Sequence, residues 1–280
     1  MARFAPIKQP FYFLDSVIPY DEDKTHEFKG HRNIVVEDLP PWCYIPGTEK
    51  RSRKAVSRNI NAFLNTGKGG TIYLGVVDDG KVKGLRLTKY QKDHVKVAVK
   101  DALSRYTPKV PEECYKVEFV PVVEYTETDD VELHPQQQDD MDDIRFDETD
   151  SNRMRPHLLR TPHYCWCDKE AVDTFRKGCA APLYVVEITV FSWKKQNFTR
   201  EKDHAHIQLH PVYEDEEGNC YFRRQASIDK YSLQDVVDLT KQEVHQHFKP
   251  LFLSIKEEMM VMKEKFNLIS CCKTSAKGYS

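Results

Sequence analysis

The 280-residue sequence contains no apolar run as long as the roughly 20 residues that a membrane-spanning helix needs. Its amino terminus lacks the sustained apolar core and small-residue cleavage site of a secretory signal, and its Gly-rich segment lacks the Lys-Ser/Thr of a Walker loop. The eight cysteines do not form the framework of a small secreted scaffold. These absences argue against membrane-embedded, secreted and P-loop proteins. We expect an intracellular protein with reduced thiols, with the cytoplasm favoured over the nucleus.

Acidic residues are concentrated in one place. Between Glu127 and Asp150 there are eleven acids and one base, Arg145, so this stretch carries −10 and, with a net charge of −2 overall, the rest of the chain carries +8. A basic remainder suits a polyanionic partner such as RNA, although net charge can equally reflect solubility alone.

Hydrophobic periodicity predicts an α+β fold, a mixed sheet flanked by helices. We expect a lead-in over 1–20, a main domain over 21–240 that carries a disordered acidic insertion over 124–160, and a carboxy-terminal helix with a frayed tail over 241–280. The predicted elements are helices over 52–66 and 88–106, a hairpin of TIYLGVV and KVKGLRL around Asp78–Gly80, strands over 115–123 and 182–191, a hairpin of IQLHPVY and CYFRR, and a helix from 232 to about 248 that Pro250 interrupts before another begins.

Glu22 and Glu27 lie five residues apart, ahead of Phe28. On a straight strand they would be about 16 Å apart and point to opposite faces. On a helix they would be rotated by roughly 500° and would also miss each other. Both can reach one ion only if the chain turns at Asp23–Thr25 and folds Glu22 back beside Glu27.

Asp78, at the predicted hairpin turn, is the natural third acid. Three carboxylates form an oxygen-only site that suits Mg²⁺ or Mn²⁺, and such an ion can polarise a phosphodiester and generate hydroxide. The alternative is that Glu22 is an exposed turn acid and Asp78-Asp79-Gly80 an ordinary turn, since Asp-Gly is a common hairpin signal.

Three sequence segments resemble the AlbA-type domain of the Schlafen family: THEFK, NAFLNTGKGGTIYLGVVDDGKVKGL and CYFRRQASIDKYS. The resemblance spans about 22–240, with the acidic insertion between its parts. It implies a metal-dependent endoribonuclease whose catalytic and metal-binding acids are Glu22, Glu27 and Asp78. The chain has Val77 where relatives often carry the first Asp of that run, so Asp79, or no residue, would take its place if that first acid is the essential one.

The resemblance also implies a structural Zn²⁺ held by a His-x-Cys pair and a later pair of adjacent cysteines. His163 and Cys165 match the first pair, but the strand that should end in two cysteines reads Phe191-Ser192-Trp193. Cys167 and Cys179 could substitute and complete a Cys₃His set. Separate buried thiols are the alternative.

Basic residues provide candidate RNA contacts. One stripe lies on the second predicted helix, where a solvated face is the alternative, and two arginines end a strand where their forks could match phosphates. The predicted RNA-binding residues are Lys29, Lys89, Lys92, Lys96, Lys100, Arg223 and Arg224.

The resulting hypothesis is an endoribonuclease, or a subunit of one, that cuts tRNA-like RNA or small-RNA precursors. Because Schlafen nuclease cores pair two similar lobes and this chain has one, the resemblance implies a homodimer or a complex with another Schlafen-like chain. The alternatives are a non-catalytic RNA-binding or scaffolding subunit, in which Val77 marks lost activity, and, with less support, an ATP-binding regulator.

Overall fold

The computed structural model describes residues 11–48, 51–124, 155–193 and 209–275. The acidic stretch lies outside these ranges, as do residues 125–154 of the insertion predicted over 124–160. The chain divides into two units, one formed by 1–194 with 212–230 and the other by 195–211 with 231–280.

The fold is α+β, as the sequence predicted. The described residues form eight strands and four α-helices. The strands are β1 (Tyr12–Phe13), β2 (His26–Lys29), β3 (Gly70–Leu74), β4 (Leu85–Arg86), β5 (Tyr115–Val123), β6 (Leu183–Val190), β7 (Cys220–Arg224) and β8 (Ser227–Tyr231), and the helices are α1 (Val56–Thr66), α2 (Lys89–Ser104), α3 (Trp166–Arg176) and α4 (Leu233–Ser275).

A six-stranded mixed sheet has the order β1-β5-β6-β3-β2, and β4 also pairs with β6. Strands β2 and β3 are parallel because α1 forms the crossover between them, with Glu27 opposite Ile72 and Lys29 opposite Leu74. Their carboxyl ends therefore meet at one edge of the sheet. Strand β1 pairs in parallel with β5, so the lead-in supplies an edge strand of the sheet.

The two faces of the sheet pack differently. Helices α1 and α2 cover one face with the main core, which includes Ile60, Phe63 and Val99 against Ile72 and Ile188. The opposite face carries a smaller buried cluster, which includes Tyr12, Phe28, Tyr73, Val76 and Val185. Because alternate residues of β2 point to opposite faces, burial of Phe28 directs Glu27 and Lys29 towards the α1 side.

Two buried asparagines attach α1 to the chain around β7. The Asn65 amide donates to the carbonyls of Tyr213 and Tyr221 at 2.9 and 3.1 Å, and its oxygen accepts from the Tyr213 N–H at 2.7 Å. The Asn61 oxygen accepts from the Tyr221 N–H at 2.7 Å, and its amide donates to the Tyr213 carbonyl at 2.9 Å. These side chains provide hydrogen bonds that a neighbouring strand would otherwise give, so the polar positions of NAFLNT are structural.

The hairpin predicted around Asp78 forms only at its tip. Val76 bridges Val82, but β4 then pairs with β6 instead of continuing along β3. Gly75 and Gly84 both have positive φ, and a Cβ at Gly75 would lie 3.1 Å from the Gly84 backbone. The chain therefore bends at this close contact, which side chains would prevent.

Two other predictions need correction, and one helix was missed. CYFRR pairs with Ser227–Tyr231 and not with IQLHPVY, of which 207–208 lie outside the described residues. Helix α3 was not predicted. Pro250 lies within the continuous helix α4, because a proline removes a single backbone hydrogen bond and a long helix can continue past it. No helix of the described residues is long and apolar enough to cross a membrane.

Glu216 is a half-buried acid that contacts the start of α1. Its Oε1 accepts a 2.6 Å hydrogen bond from the Ser57 hydroxyl, whereas Oε2 is buried and has no hydrogen-bond partner among the described residues. Burial raises the pKa of Glu216 to about 7, against the lowering effect of the Ser57 hydrogen bond. The folded chain therefore retains a proton at a pH where the unfolded chain has lost it.

We expect Glu216 to make the protein less stable as pH rises from about 4.5 to about 7, because the folded state binds the additional proton in that window. Glu216→Gln mimics the protonated form, so the decrease in melting temperature between pH 5 and pH 8 should be smaller than in the wild type. Thermal unfolding at several pH values measures this decrease. Glu217→Gln, at the adjacent residue, should retain the wild-type slope; equal slopes for wild type and Glu216→Gln would contradict the assignment.

Candidate active site and nucleic-acid surface

A turn ahead of β2 folds Glu22 back onto the strand. The Asp23 carboxylate accepts hydrogen bonds from the backbone N–H groups of Thr25 and His26 at 2.7 and 2.8 Å. Burial of Asp23 opposes its ionisation, but these hydrogen bonds outweigh it and lower the pKa to about 2. Glu22 Oε1 then accepts from the Phe28 N–H at 2.9 Å. The structure thus has the predicted turn, and Glu22 lies along the edge of β2.

Glu27 is the buried acid of the set, with 6 % of its surface exposed. One oxygen contacts Lys29 Nζ and the other contacts Arg223 Nη1. Lys29 Nζ also donates to the Phe28 carbonyl at 2.7 Å. The Glu27 carboxylate is therefore neutralised by two cations, one from its own strand and one from β7.

Arg223 fastens β7 to the turn. The sequence had suggested that it binds RNA, but its side chain is not placed to do so. Its side chain is 0 % exposed and lies over the Phe63 ring, 5.1 Å from the centroid. Nε donates to the Asp23 carbonyl at 2.8 Å and Nη2 to the His26 carbonyl at 2.7 Å. All three guanidinium nitrogens have acceptors within the turn and β2, so a phosphate has no access to them.

Asp78 is exposed in the tight turn between Val76 and Val82. The neighbouring Asp79 accepts from the Lys81 N–H at 3.0 Å and so stabilises the turn itself. A Cβ at Gly30 would lie 3.2 Å from Val77 Cγ1, which places this turn next to the end of β2. Val77 therefore fills space beside β2.

The charges of Glu27 and Asp78 both act on Glu22. Burial raises the pKa of Glu22, and the charges of Glu27 and Asp78 raise it further, against the Phe28 hydrogen bond and the charge of Lys29. The described residues contain one cluster of potential metal ligands, whose ligand atoms all lie within 4.8 Å of one another, and these three acids are not part of it. Glu22 is thus within the electrostatic influence of Glu27 and Asp78, with Lys29 as the nearby cation.

The lysine stripe of α2 is divided by packing. Lys92 is only 7 % exposed, and its ammonium lies 4.9 Å from the Tyr184 ring centroid, so it is part of the interface between α2 and the sheet. Lys89 and Lys96 are exposed, with ammonium groups near the rings of Tyr90 and Phe119. The periodic pattern did not reveal that the stripe passes over these aromatic rings.

The other predicted basic contacts are paired at the surface. Lys100 forms a 2.7 Å ion pair with Glu112, and Arg224 forms a 3.2 Å ion pair with Asp229. Both basic side chains are about two-thirds exposed. Pairs as exposed as these contribute little to stability, so a phosphate could compete for them at low cost.

The comparison with protein families gives one match over most of the chain. A family model described as Schlafen, AlbA_2 matches residues 22–232. The chain belongs to the Schlafen AlbA_2 family. This is a nucleic-acid-related family, and the match begins at Glu22 and includes the turn, β2, α1, β3 and β7. The predicted family resemblance is confirmed.

This Schlafen AlbA_2 protein has a second cluster of reactive side chains, formed by His94, His157, Cys165 and Cys167. Their potential ligand atoms all lie within 4.8 Å of one another. Burial lowers the pKa of His94 to about 4, so its imidazole is neutral at physiological pH, and burial raises the pKa of the Cys167 thiol.

The cluster includes two of the four residues that the sequence suggested for zinc. His163 and Cys179 are exposed and lie outside it. Cys179 follows the carboxy-terminal end of α3 and Cys165 precedes its amino-terminal end, and eleven helical residues span about 16 Å. His94 and His157 take their places. Sequence reasoning missed both because they are 63 residues apart and neither belongs to a short metal-binding motif.

Proposed function

We propose that the protein is an endoribonuclease, or a subunit of one, that depends on Mg²⁺ or Mn²⁺ and acts on tRNA-like RNA or small-RNA precursors. The observation that carries the proposal is the turn that returns Glu22 to β2, where its pKa responds to the charges of Glu27 and Asp78. Neighbouring like charges disfavour ionisation, and a bound cation would offset this repulsion at Glu22.

The donor set fits a hard divalent cation. Glu22, Glu27 and Asp78 offer carboxylate oxygens only, the ligands that Mg²⁺ and Mn²⁺ prefer. Lys29 already supplies a positive charge beside Glu27, so the site accommodates a cation there. When bound, a divalent ion would polarise the phosphodiester and lower the pKa of a water molecule.

The surrounding residues have separate roles in this proposal. Arg223 holds Glu27 from the protein side and so sets the direction of its carboxylate. Lys29 is 14 % exposed and adjacent to the acids, where its ammonium group could stabilise negative charge that develops on the scissile phosphate. The exposed Lys89, Lys96, Lys100 and Arg224 would contact the RNA backbone. A second lobe, from another copy or a Schlafen-like partner, would complete the RNA-binding surface.

Two observations favour a second candidate, a non-catalytic RNA-binding or scaffolding subunit. Both Glu27 oxygens are engaged by cations, and Val77 fills the space beside Gly30. If these pairs persist with Mn²⁺ present, the site would bind RNA and not cleave it.

We expect Mn²⁺-dependent cleavage of tRNA or a small-RNA precursor, and a loss of about 100-fold or more in Glu22→Gln, the scale on which loss of a charge-stabilising group acts. Glu22→Gln is the most informative variant, because glutamine retains an oxygen for the Phe28 N–H and Glu22 does not pair with Arg223. Glu27→Gln and Asp78→Asn should have similar effects. Cleavage is measured on labelled RNA, with protein alone and with candidate partners.

Glu37→Gln, which removes an exposed carboxylate elsewhere, should leave the rate unchanged. Asp79→Asn tests which acid of the turn is required. RNA binding that is equal in wild type and Glu22→Gln, with no cleavage by either in Mn²⁺ and with partners present, would establish the non-catalytic alternative.

A further inference from the structure

We propose that His94, His157, Cys165 and Cys167 form a tetrahedral zinc site that fastens α2 to the amino-terminal end of α3. This site is separate from the three acids and does not depend on the proposed nuclease activity. It also differs from the His163, Cys165, Cys167 and Cys179 set that the sequence suggested.

The positions of the ligand atoms match a four-coordinate zinc ion. His157 Nδ1 lies 3.6 Å from Cys165 Sγ, and His94 Nδ1 lies 3.4 Å from Cys167 Sγ. Zinc bonds of about 2.3 Å to sulfur and about 2.0–2.1 Å to nitrogen, at tetrahedral angles, place such atoms about 3.6 Å apart. The side chains therefore surround a point that one zinc ion could occupy without large movements.

The chemistry of the donors selects the metal. Two thiols and two imidazoles suit Zn²⁺, whereas Mg²⁺ and Ca²⁺ require oxygen ligands. Cys165 and Cys167 are 1 % and 0 % exposed, so four protein ligands would close the site to solvent. A closed four-ligand set is typical of structural zinc and not of catalytic zinc, which retains an open position.

Neighbouring groups already orient the ligands. His157 Nε2 lies 2.9 Å from the Asp93 carboxylate, which leaves Nδ1 directed towards Cys165. The Leu158 N–H donates to Cys165 Sγ at 3.2 Å, and the Trp166 ring stacks on His157 at 5.1 Å. A carboxylate on the distal nitrogen of a histidine and an N–H directed at a cysteine sulfur are usual supports of zinc ligands.

The location explains what the metal would contribute. Helix α3 buries its first turn in a cluster of only Tyr90, Cys165, Trp166 and Cys167, apart from the main core. Farther along α3, Phe175 is 63 % exposed. A small apolar cluster provides little anchorage, and a metal can replace a core in such places. Zinc would also fasten His157, where the described chain resumes after residues 125–154, to α2.

The test is the metal content of the full-length protein, expressed with added zinc and purified without a metal-affinity tag. We expect about one zinc ion per chain by elemental analysis, and near zero in Cys167→Ser and His94→Gln. Cys179→Ser and His163→Gln are matched controls on residues of the same types, and both should retain the metal. Chelation of zinc should lower the melting temperature of the wild type, and zinc should restore it.

Cobalt provides a second readout, in which the coordination of the wild type is observed directly. In place of zinc, Co²⁺ should give the intense visible bands of tetrahedral coordination and a thiolate charge-transfer band that Cys167→Ser weakens. A wild type without zinc and without these cobalt bands would overturn the proposal. So would a disulfide between Cys165 and Cys167 in protein purified in reducing buffer. Equal zinc loss in Cys179→Ser and Cys167→Ser would overturn the ligand assignment.

Discussion

Replacing Arg223 with alanine is expected to lower the free energy of unfolding by about 4 kcal/mol, which is in the range for breaking a buried ion pair. The variant leaves the Glu27 carboxylate buried with only Lys29 as a cation. It also removes the hydrogen bonds from Arg223 to the carbonyls of Asp23 and His26. The loss is large because the buried acceptors remain while their donor is gone.

Arg224→Ala is the matched control, since Arg224 is the next residue of β7 but its side chain is 67 % exposed. This change should cost no more than about 0.5 kcal/mol. Arg223→Lys should fall between the two, because an ammonium group retains the charge but cannot reach three acceptors with a planar fork. Urea unfolding followed by circular dichroism measures all three. A similar loss in Arg223→Ala and Arg224→Ala would show that Arg223 does not fasten the turn.

Asn65→Ala is expected to lower the free energy of unfolding by about 3 kcal/mol, because the Tyr213 N–H and the carbonyls of Tyr213 and Tyr221 would lose buried partners. Asn59→Ala is the matched control on α1. Asn59 is 1 % exposed and Asn65 4 %, but the Asn59 oxygen accepts one long hydrogen bond, from Arg223 Nη1 at 3.5 Å, and its amide nitrogen has no partner among the described residues. The Asn59 change should therefore cost about 1 kcal/mol or less.

Asn65→Asp distinguishes hydrogen bonding from packing, since its shape is nearly that of asparagine. The new carboxylate would face two carbonyls and the Asn61 oxygen where the amide donated. We expect it to destabilise the protein at least as much as alanine at pH 7, and less at a pH low enough to protonate it. Equal costs for Asn59→Ala and Asn65→Ala would show that cavity formation, and not the hydrogen bonds, determines the effect.

These two predictions bear on the proposed active site. Arg223 and Asn65 both fasten the β7 region, Arg223 to the turn that presents Glu22 and Glu27 and Asn65 to α1. If Arg223→Lys folds, its effect on cleavage would report how strictly the Glu27 carboxylate must be oriented. The NAFLNT and CYFRR segments thus stabilise the turn and strand that carry Glu22 and Glu27.

Much of the secondary structure could be predicted from local sequence. Tyr115–Val123 forms a strand with the predicted bounds, because Tyr115, Val117 and Phe119 alternate with charged residues directly after a proline-containing segment. Helices α1 and α2 were predicted from apolar stripes, and α1 ends at Gly67 with φ 71° as the glycines suggested. Helix α3 was missed because its apolar residues are few and most of its surface is exposed.

The turn followed from the hypothesis that Glu22 and Glu27 bind one ion, because no straight element lets both side chains reach one point. The residue types at the turn, Asp23 and Thr25, also support it locally through side-chain hydrogen bonds. The partners of Glu27 were beyond sequence reasoning, since Arg223 lies 196 residues away and reaches Glu27 only because α1 and β7 pack together.

The sequence by itself determined the family, the α+β class and the bend that returns Glu22 to its strand, because these depend on short motifs, hydrophobic period and local hydrogen bonding. Only the tertiary structure decided that Arg223 is a buried clamp, that Lys92 is covered by aromatic rings, and that His94 and His157 join Cys165 and Cys167. Each of these outcomes depends on which distant segments are brought into contact. Burial then decides whether a charged side chain contacts solvent, a partner or a metal. The pattern of residues along the chain does not specify which side chains become buried.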